Sequence, residues 1–288
     1  MKIVIAYDGS DHAKAAVADL TRSGLPQDTE AVVVSVADVL PVSLERHSSP
    51  RVAKSQSGAQ KQMSEAQRVA EEGARQTREL FPSWRVSHQA VADSPYWAFI
   101  KHADDINADL IVLGSRGRTG LTATALGSVS QNVLANASCS VRVGRGAGAA
   151  KAGSPVRILI GLDGSKGADA AVASVAQRAW PQGSEARLVT ASHGRTLALM
   201  FDEEPEKGDF PAIVDNATRA LESRLKVTTS QREDDPKSLI LREAEEWRAD
   251  VIFLGARGLT RTERSLLGSV AGAIAARAKC SVEVVRAD

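Results

Sequence analysis

Ten short runs of mostly apolar residues punctuate the chain, five in each half. In the first half they fall at about 2–7, 31–37, 84–91, 109–114 and 140–144; in the second, at about 156–162, 186–192, 224–230, 250–255 and 281–286. The first, second and fourth runs of each set are nearly all apolar, as expected of parallel strands covered on both faces. Between them lie segments such as DHAKAAVADL, KQMSEAQRVAEEGARQTREL and SPYWAFIKHADDI, whose apolar residues recur at three- and four-residue spacing and predict amphipathic helices. Strand–helix alternation of this kind predicts an open α/β sheet with right-handed crossovers. In such sheets ligands sit beyond the C-terminal strand ends, at the switch point of the strand order. One stretch, 43–62, is polar and without period. It reads as a long surface loop leading into a helix.

The chain is written twice. Shifted by 155 residues, IVIAYDGSDHAKAAVA (3–18) falls on ILIGLDGSKGADAAVA (158–173), with ten of sixteen positions identical. Shifted by 141, ADLIVLGSRG (108–117) falls on ADVIFLGARG (249–258), LGSV at 126 on LGSV at 267, and CSVRV at 139 on CSVEV at 280. The second copy is thus shorter in the middle. The small-residue stretch 144–155, GRGAGAAKAGSP, reads as a linker. The expected domains are 1–146 and 155–288, each of ordinary size. The linker leaves the last strand of the first half, so the last strands of the two halves are expected to pair antiparallel, an intrachain pseudo-dimer. A homo-oligomer of whole chains stays open beside it.

Composition narrows the function classes. With 36 basic and 35 acidic residues the net charge is +1, so no basic excess points to nucleic acid. No run approaches the length of a membrane span, and the opening apolar run is too short for a signal peptide. Two cysteines, Cys139 and Cys280, make no disulfide framework, and a cytoplasmic setting is the expectation.

The candidate chemistry sits at the strand ends. The first strand runs into Asp8-Gly9-Ser10 and its copy into Asp163-Gly164-Ser165. Two readings stay open there: a turn and helix cap, or a carboxylate beside a ligand, holding a ribose hydroxyl or a magnesium ion through water. The fourth strand runs into G-x2-G-x9-G-S, formed by Gly114, Gly117, Gly127 and Ser128, and repeated as Gly255, Gly258, Gly268 and Ser269. Glycines let backbone N–H groups approach an anion without a Cβ in the way. Gly127-Ser128 stands before the apolar pattern LGSVSQNVLA, so it opens a helix whose free N–H groups and dipole favour phosphate. Ser128 and Ser130 add hydroxyl donors. A tight turn followed by an ordinary cap is the alternative, and the repetition of the spacing speaks against it.

The stretch GSRGRTGLTATALGSVSQNVLANASCSVRV, together with VIAYDGS and ADLIVLGSRG, resembles the universal stress protein family, and does so in both halves. That resemblance implies a five-stranded parallel sheet of order 3-2-1-4-5 in each half. It also implies adenine-nucleotide binding (ATP, ADP or AMP, with Mg) in some members and none in others. Carried over by position, the site is Asp8, Val36 or Ala37, Gly114, Arg116, Gly117, Gly127, Ser128 and Ser130 in the first half. In the second it is Asp163, Ala191, Gly255, Arg257, Gly258, Gly268 and Ser269. The aspartate would lie near phosphates and metal, the end of the second strand near adenine, and the glycine motif around ribose and phosphates. The second half has Ala271 for Ser130, Ala256 for Ser115, and the acidic run Glu233-Asp234-Asp235 after its third strand, so the first half is expected to bind more tightly. Family members often carry Cys-Pro before the last strand; here Cys139-Ser140 and Cys280-Ser281 stand there.

The five histidines show no zinc-ligand spacing; His12 and His193 fall near strand ends. Trp84, Trp97, Trp180 and Trp247 lie in or beside apolar patterns and are expected in the core. No G-x4-G-K-[ST] loop, Ser-Gly-Gly pyrophosphate loop or H-x-G-H pattern occurs. A nucleotide-binding stress-response regulator is therefore favoured over a slow ATPase or adenylate-handling enzyme, and over a tandem scaffold that binds no nucleotide.

Overall fold

The computed structural model describes residues 1–37, 50–117, 126–146, 153–191, 210–258 and 267–287. The first half contains strands β1 (Lys2–Ala6), β2 (Glu30–Ala37), β3 (Arg85–Ala92), β4 (Leu110–Gly114) and β5 (Ser140–Gly144). Its helices are α1 (Asp11–Asp19), α2 (Pro50–Leu80), α3 (Pro95–Ile106) and α4 (Ser128–Asn136). The second half repeats the order with β6 (Arg157–Leu162), α5 (Lys166–Ala176), β7 (Glu185–Ala191), α6 (Phe210–Leu221), β8 (Lys226–Arg232), α7 (Pro236–Glu246), β9 (Val251–Gly255), α8 (Ser269–Arg277) and β10 (Ser281–Val285). All ten expected strands are present, each within two residues of its expected bounds at either end.

The strands form one sheet of order β3-β2-β1-β4-β5-β10-β9-β6-β7-β8. Each half is parallel in the order 3-2-1-4-5. The halves join where β5 meets β10 antiparallel, with Val143 opposite Val282, Arg142 opposite Glu283 and Val141 opposite Val284. The expected intrachain pairing is therefore the one observed. The sequence explains which strands lie where. β1 and β4 are central and almost wholly buried, so they read as unbroken apolar runs. β3 and β8 are the outer edges, and their residues are mostly half-buried or exposed. Charged and polar side chains on such edges oppose edge-to-edge pairing with another chain.

Three apolar clusters fill the space between sheet and helices. One runs unbroken through both halves, from Phe99, Ile100, Val133 and Leu134 to Leu239, Ile240, Ile274 and Ala275. It lies under α3, α4, α7 and α8. On the opposite face each half has its own cluster, around Tyr7, Val17 and Leu20 in the first and around Val172, Val175 and Phe253 in the second. The two halves thus share one of their cores.

Two expectations need correction. The stretch 43–62 is not loop throughout, because α2 begins at Pro50; residues 43–49 lie outside the described residues. A proline is at home in the first turn of a helix, and Gly58 has no atom within 4 Å of where a Cβ would stand. From Gly58 to Glu65 the helix is exposed or half-buried throughout, so that stretch shows no buried apolar stripe. Trp97 is not a core residue. It is 51% exposed, at the first turn of α3, whereas Trp84 is buried.

Candidate functional site

The turn-and-cap reading of Asp-Gly-Ser holds for its serines. Ser10 is the N-cap of α1, its Oγ accepting a bond from the Ala13 N–H at 3.2 Å. Ser165 does the same for α5 with Ala168. Gly9 and Gly164 take φ of +79° and +80°, a conformation that side chains disfavour. This turn folds Asp8 back so that its Oδ1 accepts from the Ser10 N–H at 3.0 Å. The other carboxylate oxygen faces the glycine motif: a Cβ on Gly117 would stand 3.0 Å from Asp8 Oδ2. In the second half a Cβ on Gly258 would stand 2.5 Å from Asp163 Oδ2. The end of the first strand and the glycine loop of the fourth strand therefore meet at one point, with only a missing side chain between them.

The long spacing of the motif is closed by hydrogen bonds. The Gly127 N–H donates to Ser115 O at 2.8 Å, and the Gly268 N–H to Ala256 O at 2.7 Å. Gly127 then lies against Arg116 and Gly117, as Gly268 lies against Arg257 and Gly258. Gly114 ends β4 where a Cβ would press on the His12 backbone at 2.8 Å, so β4 and α1 approach closely; Gly255 ends β9 in the same way beside Gly167. Gly127 and Gly268 are the N-caps of α4 and α8, and a glycine has no side chain with which to cap. Among the described residues no side chain caps the first N–H groups of either helix. Ser128 and Ser269, the first residues of these helices, are exposed. Asp8, Arg116, Gly117, Gly127 and Ser128 are thus brought together in the first half, and Asp163, Arg257, Gly258, Gly268 and Ser269 in the second.

Ser130 has a different role from the one expected. It is 5% exposed, and its hydroxyl donates to Gly114 O at 2.8 Å. Its single proton is spent inside the loop, tying α4 to the end of β4, and is not presented to a phosphate. Ala271 occupies the matching place, 3% exposed. Val36 and Ala37 end β2 beside Val91 and Ala92 of β3, and Ala191 ends β7 beside Arg232. The acidic run after β8 is largely taken up locally. Asp235 caps α7 by accepting from the Ser238 N–H at 2.9 Å, a bond that holds its carboxyl below the usual range. Asp234 pairs with Arg242 at 2.8 Å.

One aspartate per half fits a magnesium ion, which takes one or two carboxylates and completes its shell with phosphates and water. Among the described residues no three His, Cys, Asp or Glu side chains cluster to hold a metal by themselves. Neither cysteine is a reactive centre: burial pushes the thiol of Cys139 up to about 11 and that of Cys280 up to about 12. Two clefts lie elsewhere. One of about 410 Å³ is at the edge of the second half around Arg157, Glu185 and Asp250, and one of about 790 Å³ is in the seam between the halves beside Asp109, Cys139 and Gln177.

The seam itself was not foreseen from single residues. Arg145 leaves β5, donates its N–H to Ser281 Oγ at 2.9 Å, and reaches the C-terminal end of α8 with a bond to Ala275 O at 2.5 Å. Arg286 leaves β10 and repeats this, to Ser140 Oγ at 3.2 Å and to Leu134 O of α4 at 2.8 Å. The serines standing where Cys-Pro is common accept these bonds. Each helix that opens a glycine cradle is thus held at its far end by an arginine of the other half.

A sequence model of the universal stress protein family matches the chain twice, over residues 1–145 and 156–286. The chain belongs to this family. A universal stress protein of Mycolicibacterium smegmatis is 26% identical over 295 residues, covering 99% of this chain and 96% of that protein. Among solved structures, a universal stress protein from Archaeoglobus fulgidus superposes over 99% of this chain and 98% of its own, at 21% identity and a TM-score of 0.68. That likeness is one of fold, and it extends across both halves of the tandem. A universal stress protein solved in complex with cAMP is 22% identical, covers 47% of this chain and 99% of its own, and has a TM-score of 0.36.

Proposed function

We propose that this universal stress protein is an adenine-nucleotide-binding regulator, holding ATP, or ADP or AMP, at the C-terminal strand ends, with the first half the tighter site. One observation carries the reading. An uncapped helix start, Gly127-Ser128, is folded back onto Arg116-Gly117 with the Asp8 carboxylate opposite. A helix N-terminus with free N–H groups is an anion site, and a guanidinium in the same loop suits phosphate. Asp8 alone would repel phosphate. With Mg2+ between them the same carboxylate becomes a ligand, directly or through water. The metal would neutralise phosphate charge; the chain's residues supply the cradle and its orientation.

The preference for the first half rests on Asp163. Its Oδ1 accepts from both the N–H and the hydroxyl of Ser165, at 3.0 and 2.6 Å, whereas Asp8 accepts from the Ser10 N–H. The carboxylate of the second half is thus more fully engaged within its own turn. Among the described residues neither site brings a general base to a nucleophile, and binding, not turnover, is the activity proposed; the ligand would act by shifting the conformation or partners of a cytoplasmic protein.

The test uses the full chain. Gly117→Val places a side chain against Asp8 Oδ2, and Gly258→Val does so against Asp163. Titration with MgATP is expected to lose its tighter phase in the first variant and keep it in the second. The opposite pattern, or rapid ATP turnover by the unaltered protein, would overturn the reading.

A further inference from the structure

The helix α3 carries Tyr96, Phe99, Ile100 and Ala103, the spacing of a single buried stripe. The last three are 6%, 4% and 2% exposed, as a stripe facing the sheet should be. The first is not: Tyr96 is 36% exposed, and Trp97 beside it 51%. The reason is that the sheet ends beneath them. Ala92, the last residue of β3, is level with Ala37, the last of β2, and α3 opens at Pro95 beyond that level. Phe99 and Ile100 pack in the same cluster as Ala6, Val36, Val91 and Leu126. Those residues end β1, β2 and β3 and directly precede Gly127. One helical turn further out, Tyr96 extends the stripe past the strand ends, on the rim of the sheet where Asp8 and the first glycine loop also stand.

The repeat supplies a control within the molecule. In α7 the matching stripe is Lys237, Ile240, Leu241 and Ala244, with Ser238 at the place of Trp97. The apolar positions of the stripe are kept, while the two overhanging ones change from two aromatic rings to an ammonium and a hydroxyl. Core packing does not demand aromatics at this turn, since the second half manages without them. Exposed tyrosine and tryptophan on that rim are suited to one class of partner, a flat aromatic ring.

We propose that Tyr96 and Trp97 form a stacking platform for the aromatic base of the ligand, so that the first half selects a purine nucleotide over a bare polyphosphate. This rests on the nucleotide reading above and adds to it the group that is recognised. The second half, with Lys237 in place of the platform, attracts phosphate without choosing the base.

Calorimetry on the full chain with MgATP and with inorganic tripolyphosphate tests this, using the unaltered protein, the double variant Tyr96→Ala/Trp97→Ala, and Tyr96→Phe, which keeps the ring. Both residues are exposed, so unchanged circular dichroism is expected throughout. Removing the platform should weaken ATP by at least about fivefold, the low end for a base stacked on an aromatic side chain. It should leave tripolyphosphate binding unchanged, and Tyr96→Phe should behave as the unaltered protein. ATP binding that is insensitive to the double variant overturns the platform and leaves the nucleotide reading intact. An equal loss of ATP and tripolyphosphate also overturns it, because the residues would then shape the loop and not recognise a base. If the unaltered protein binds neither ligand, both readings fall together.

Discussion

Arg142 and Glu283 occupy matching positions of the two halves, stand directly opposite each other where β5 meets β10, and pair at 3.1 Å with both side chains 1% exposed. Glu283 also accepts from the guanidinium of Arg178, and Arg142 donates to the Asp19 carboxylate at 2.8 Å. Because the two strands are copies related by a local two-fold, pairing of like with like would set arginine against arginine or glutamate against glutamate. The charges at this one position favour joining the first half to the second. Glu283→Gln should leave two buried guanidiniums with Asp19 as their remaining carboxylate. The expected cost is about 3–5 kcal/mol, as for a buried ion pair deprived of one partner, read from urea denaturation of the full chain. A change below about 1 kcal/mol, typical of an exposed pair, would show that the network is solvated.

How much of this was legible beforehand follows from burial. The strands were readable because a run such as Leu110–Gly114, buried on both faces, leaves no other assignment for its length. The meeting of the glycine motif with the aspartate turn was foreshadowed because the spacing occurs twice. Arg142 and Glu283 were hidden as polar positions inside apolar runs. A signal was present all the same, in the opposite charges at equivalent places of a repeat. Ser130 was misjudged because spacing cannot say which way a hydroxyl turns, and Gly114 O claims it. Trp97 was misjudged because helical period identifies a face and not where the sheet beneath that face stops.

Cys139 and Cys280 are free and half-buried, and burial raises their thiols from 9.0 to about 11 and about 12. Both are therefore protonated at neutral pH and poor nucleophiles. Iodoacetamide at pH 8 should modify neither in the native protein and both in urea. The sign of the linkage also follows. The unfolded chain loses these protons from about pH 9, while the folded chain keeps them to about 11–12, so the stability they contribute is whole below pH 9 and falls as pH rises from there. Replacing both with alanine should flatten that alkaline decline. An unchanged decline would assign it to other groups.

Asp8 presents one oxygen to the Ser10 N–H and the other to the glycine loop. Its replacement should have opposite effects with and without metal. In EDTA, Asp8→Asn removes a negative charge facing phosphate, and ATP should bind at least as tightly as to the unaltered protein. With Mg2+, the unaltered protein should gain affinity and the variant should not, a difference of about tenfold if the carboxylate orients the metal's shell. Equal metal dependence of the two proteins would remove Asp8 from the metal site.

Ser130 separates a structural from a ligand-binding hydroxyl. Its bond to Gly114 O is buried and 2.8 Å long, so Ser130→Ala leaves that carbonyl without this partner. A loss of about 1 kcal/mol of stability is expected, the usual net worth of one such bond. ATP affinity should hardly change, because the hydroxyl proton does not face the cradle. The reverse variant, Ala271→Ser, should not improve binding in the second half, since a serine there would turn toward Gly255 as Ser130 turns toward Gly114. If Ser130→Ala instead weakens ATP binding tenfold or more at unchanged stability, the hydroxyl reorients to phosphate when ligand binds, and the difference between Ser130 and Ala271 regains its place as a determinant of which half binds.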